Sequence, residues 1–108
     1  MSNKLALVEA VASIGDAVMS MAASAKSLRS VRKEETVILA ERIICLKNAC
    51  RVHGCSELAR ICLNEMDKTF REIQIRKYSG PMLDMAMGIL DIQYQKLCQS
   101  LQDYAMGK

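Results

Sequence analysis

The chain has no Trp, one Phe, one Pro, one His and five Gly in 108 residues. So few Gly and Pro leave few turns, which disfavours a many-stranded β fold. One His and one Phe leave little material for His-based catalysis or for stacking nucleobases on aromatic rings. Gly15, Gly54, Gly80, Gly88 and Gly107 are isolated, so no phosphate-cradling loop or dinucleotide fingerprint is present. Long uncharged runs are also missing. Glu9 and Asp16 interrupt the apolar stretch that follows Lys4, and the uncharged stretches fall far below the ~20 residues that span a bilayer. Ala23-Ser24-Ala25 resembles a signal-peptide cleavage site, but those two acids argue instead for a helix with buried small residues. No membrane segment is expected.

What the chain does contain is apolar material: 51% of its residues are hydrophobic, at a net charge of only +3. That balance excludes a disordered chain, and the length fits one helical domain over residues 1–108. Eight Met and five Cys stand out in so short a sequence. An odd number of cysteines cannot close a disulfide framework, and reduced thiols in a cytoplasmic protein are the simpler reading.

Apolar spacing divides the chain into four helices. Leu7, Val11, Ile14, Val18, Met21 and Ala25 follow the helical period in a first segment from about Asn3 to Leu28, capped by Ser2 or Asn3. Its Ala, Ser and Gly residues, Gly15 among them, predict a closely packed partner helix. A second segment, about Glu34 to Val52, carries Leu39, Ile43, Leu46 and Cys50, widened by Val37, Ala40 and Ile44. Gly54 and Ser56 read as a stop and a new cap. A third segment, Glu57 to about Lys77, carries Ala59, Cys62, Met66, Phe70 and Ile73. Gly80 and Pro81 then end one element and start the next. The fourth, from Pro81 to about Ala105, has a full stripe through Leu83, Ala86, Leu90, Tyr94, Leu97, Leu101 and Tyr104. The expected fold is all-α, a four-helix up-and-down bundle. If Gly54 only kinks the chain, it is three helices with a long middle one.

A second stripe on the fourth segment, Met82, Met85, Ile89 and Ile92, exceeds what one core seam needs. Surplus apolar surface on a small domain marks an interface, and two-fold homodimers are the commonest solution. Those four residues are the expected partner-binding set. Methionine as such reads first as core filler, and only then as an adaptable binding surface.

Chemistry-bearing constellations are sparse. Cys45, Cys50, His53, Cys55 and Cys62 match no zinc-site spacing, so no metal is expected. Cys50 with His53 is the one pair that could resemble a nucleophile and its base, and nothing like an oxyanion loop accompanies it. No cofactor fingerprint is present. Charge offers the alternative. Residues 26–77 hold twelve Lys or Arg against seven Asp or Glu, and Arg60, Lys68, Arg71, Arg76 and Lys77 are the candidate nucleic-acid contacts. The leading expectation is a non-enzymatic, cytoplasmic helical module that binds itself or another protein (adaptor, inhibitor, immunity-type or chaperone-like). The alternative is a small nucleic-acid-binding regulator.

Overall fold

In the computed structural model, residues 4–105 are described. They form α1 (Lys4–Leu28), α2 (Lys33–His53), α3 (Glu57–Arg76) and α4 (Gly80–Ala105), with no strand among them. The predicted Ser2 or Asn3 cap lies outside the described residues. α1 packs on α2 and α4, α3 packs on α4, and α2 meets α3 only sparsely. Each helix therefore neighbours the next in sequence, and α4 returns to α1, as in an up-and-down bundle 44 Å long.

The core is built from the stripes that the sequence displays. Leu7, Val11, Ile14, Val18, Met21 and Ala25 of α1 are all buried, as are Leu39, Ile43, Leu46 and Cys50 of α2. α3 contributes Ala59, Cys62, Met66, Phe70 and Ile73, and α4 contributes Leu83, Ala86, Leu90, Leu97 and Leu101. Tyr94 and Tyr104 pack on this core half-buried. The methionines divide: Met21, Met66 and Met87 fill the interior, while Met19, Met82 and Met85 are exposed. Segment 5–28 has the length and apolarity of a membrane-crossing helix, with a mean hydropathy of 1.6. In the bundle its apolar line is part of the core.

Gly15 leaves room on α1 for a side chain of α4. Tyr94 of α4 lies over it, and the Tyr94 hydroxyl donates to the Val11 carbonyl at 3.0 Å. A side chain at position 15 would occupy the place of that phenol. The small-residue stretch of α1 thus admits an aromatic side chain anchored to the α1 backbone. Polar bonds fix the other flank of α1. Ser20 and Ser24 donate to the Glu35 carboxylate at 2.9 and 2.6 Å, and Arg42 donates to the Ser13 carbonyl at 2.7 Å.

The middle of the chain is broken, not kinked. Gly54 takes φ 80 and donates its N–H to the Cys50 carbonyl at 2.8 Å, which ends α2. Ser56 then accepts from the Ala59 N–H at 3.1 Å and starts α3. That cap satisfies one of the free donors of the first turn, so Ser56→Ala should cost about 1 kcal/mol, read as a lower denaturant midpoint. The α3–α4 junction differs from expectation. Lys77, in the left-handed conformation at φ 50, ends α3, whereas Gly80 is the first residue of α4. Gly80 has φ 58 and donates its N–H to the Arg29 carbonyl at 3.0 Å, tying this junction to the α1–α2 turn. Its left-handed backbone serves that cross-link and not the termination of α3.

Candidate functional site

The second stripe of α4 faces outward. Met82, Met85, Ile89 and Ile92 are 53%, 66%, 49% and 55% exposed. The inward slots of the helix are already taken by Leu83, Ala86, Leu90 and Leu97. Tyr94 marks the flank of α4 turned to α1. Helical geometry puts the stripe on the other flank, toward α3. On α3, Asp67 faces α2, because it accepts from Lys47 Nζ at 3.0 Å. Leu58 lies half a turn round the helix from Asp67 and so belongs to the α4 side, whereas Ile61 stands on the outer face, lining a shallow cavity with Asp67, Lys68 and Arg71. Both are exposed. The sequence reading missed Leu58 and Ile61. Their exposure follows from the order of helices around the bundle, which the period of α3 alone does not carry.

The basic candidates separate into two groups. Arg60, Lys68 and Arg71 share the flank of α3 nearer α2 and are exposed, and Lys47 and Arg51 of α2 adjoin them. Asp67 holds both Lys47 and, at 3.3 Å, Arg71. Arg76 does not join this group. It pairs with Glu72 at 2.8 Å on the α4 side, where Glu72 also accepts from the Tyr78 hydroxyl at 3.3 Å. Lys77 sits at the far end of α3, beside a cavity that Lys33 also lines. The face is therefore built from Lys47, Arg51, Arg60, Lys68 and Arg71, rather than from the α3 cations alone.

The cysteines are all free. Cys50 and Cys62 are buried, Cys55 and Cys98 half-buried, and Cys45 exposed. Burial pushes the Cys50 thiol up to about 12, and its hydrogen bond with Cys55 adds to the shift. Cys55 in turn bonds the Arg60 guanidinium. Cys50 is therefore held as a neutral thiol at neutral pH, the opposite of what a nucleophile requires. Burial likewise holds the Tyr94 phenol well above its ordinary value, helped by a hydrogen bond with Cys98. Among the described residues, no three or more His, Cys, Asp or Glu side chains lie together as metal ligands. Exposure predicts the order of thiol chemistry, and the raised pKa of Cys50 adds to its protection. Cys45 should be alkylated first in the folded protein, and Cys50 and Cys62 only on unfolding, as read by mass spectrometry of the modified peptides.

Fold and surfaces together define a small all-α bundle with an exposed apolar stripe on α4 and a basic surface across α2 and α3. No protein family, curated protein or solved structure matches the chain.

Proposed function

We propose that this protein is a non-enzymatic, cytoplasmic helical interaction module that works as a homodimer, of the adaptor, inhibitor, immunity-type or chaperone-like kind. One observation carries the reading: Met82, Met85, Ile89 and Ile92 stand exposed in line, while the core of the bundle is complete without them. An apolar face of this kind on a small soluble bundle costs free energy unless a partner covers it. A second copy suits the stripe well. Two α4 helices laid antiparallel about a two-fold axis near Ile89 would set Met85 of one copy against Ile92 of the other. Such an isologous contact is self-complementary and closes at two subunits. Flexible methionine side chains at one end of the stripe adapt to the facing surface without a fixed shape. Five free thiols fit a reducing compartment, which supports the cytoplasmic reading.

Light scattering at micromolar concentration tests the assembly. The expected mass is about 24 kDa, twice the chain's 12.0 kDa. A mass of one chain throughout the micromolar range overturns self-association.

A further inference from the structure

The seam between α2 and α3 is unlike the other three. The two helices meet only sparsely, and three cavities follow one another along the gap. The first, about 550 Å³, opens between Val37 of α2 and Ile73 of α3. The second, about 290 Å³, has Ile43 and Phe70 in its wall, and the third, also about 290 Å³, lies between Cys50 and Leu63. Their outer edges carry Val37, Ile44 and Ile75, three exposed aliphatic side chains that no neighbouring helix covers. From Val37 to Arg51 the gap runs for about 21 Å, the length of four helical turns.

Charge says what would fit there. The residues lining the three cavities include six cations (Lys33, Lys47, Arg51, Arg60, Arg71 and Lys77) and one carboxylate, Asp67. Asp67 is already engaged by Lys47 and Arg71. Among the other acids of α3, Glu65 and Glu72 lie on its α4 side, while Glu57 acts on Arg60 at the start of the helix. Glu41 of α2 stands exposed between Val37 and Ile44, so the cations outnumber the acids along the gap without being alone there. We propose that the α2/α3 seam is a docking groove for an acidic amphipathic helix of a partner protein, separate from the α4 face. The apolar stripe of such a helix covers Val37, Ile44 and Ile75, and its Asp and Glu side chains meet Arg51, Arg60 and Arg71 along the edges. This is the helix-in-groove mode, with charge setting orientation and encounter rate. A nucleic acid matches the groove less well. The aromatic ring in its floor, Phe70, is 2% exposed and offers no stacking surface, and the aliphatic edges have no counterpart on a phosphate backbone.

The probe is a fluorescein-labelled designed peptide of about 18 residues, with Leu at helical spacing and Glu on both flanks of the stripe. Its scrambled isomer and a labelled single-stranded oligonucleotide are the comparisons. Anisotropy on the full chain should give micromolar binding of the designed peptide and at least about tenfold weaker binding of the scrambled one. Arg51→Glu/Arg60→Glu and, separately, Ile44→Glu should each weaken binding by about tenfold or more while the circular dichroism spectrum is kept. Amide shift changes should map to residues 37–51 and 60–75. Absence of binding, equal binding of the scrambled peptide, or insensitivity to both variants overturns the proposal. Preferential binding of the oligonucleotide, lost in the Arg51→Glu/Arg60→Glu variant, overturns it in favour of nucleic acid. Met85→Glu/Ile89→Glu should leave peptide binding unchanged, so failure of the dimer reading and failure of this one are read separately.

Discussion

Met85→Glu/Ile89→Glu should convert the dimer to a monomer without unfolding it. Each substitution places a carboxylate at the centre of the proposed contact, and the two-fold axis doubles the number to four. Desolvating unpaired charges in an interface costs several kcal/mol, and every 1.4 kcal/mol is about tenfold in affinity, so dissociation should rise at least about a thousandfold. The same substitutions are cheap for the single chain. Both positions are exposed, and surface changes away from caps and cores shift stability by about 0.5 kcal/mol or less. The measurements are light scattering for mass and circular dichroism for helix content. A variant that keeps the dimeric mass sinks the interface. Ile92→Ala, which removes apolar area without adding charge, should weaken the dimer by a smaller factor, and Arg76→Ala, on the ion pair with Glu72, should not move it.

Gly15→Val should strongly destabilise the bundle. The new β-carbon falls where the Tyr94 phenol lies, and the branched side chain has no rotamer that avoids it. Tyr94 must then leave its place, giving up its bond to the Val11 carbonyl and the burial of its ring. Overpacking of this kind costs about 1–3 kcal/mol and a lost buried hydrogen bond about 1 more, together about 3 kcal/mol, or roughly 15 °C in Tm for a domain of this size. Gly15→Ala should be milder, because Ala returns about 1 kcal/mol of helix propensity. The decisive measurement is a double-mutant cycle. In a Tyr94→Leu background the cost of Gly15→Ala should shrink or change sign. Additive costs would mean that position 15 is sensitive for a reason other than Tyr94.

Apolar periodicity made most of this fold legible. Every residue of the main stripes in the first three segments is buried, because a 3.6-residue period fixes which side of a helix faces inward whatever its neighbours. Of the residues expected to widen the second stripe, Val37 and Ile44 are exposed and Ala40 is half-buried, because α2 meets α3 only sparsely. Residues just off those lines escaped. Leu63, Ala17 and Thr36 are buried because each helix touches two neighbours, which widens the inward arc beyond one stripe. Gly80 was misleading for a related reason. A left-handed backbone can end a helix or serve a cross-link, and only the contact with Arg29 decides which. The outward position of Met82, Met85, Ile89 and Ile92 was legible as surplus apolar surface. The exposure of Leu58 and Ile61 was not, since it depends on how α3 is turned against its neighbours. Arg76 shows the same limit: it is close in sequence to Arg71 yet turned away from it, into an ion pair with Glu72.

The uneven seams also give the bundle a mechanical character. α1 and α4, the helices nearest the two termini, form a tight spine held by Tyr94 over Gly15, and α2 and α3 are attached to that spine like the covers of a book. At the open edge, side chains bridge the covers through Lys47 and Asp67, and the chain crosses at the turn from Gly54 to Ser56. Thermal motion that costs least therefore parts α2 from α3 while α1 and α4 stay together. A sequence that leaves its loosest seam beside its most basic surface has placed compliance where an incoming helix would need it.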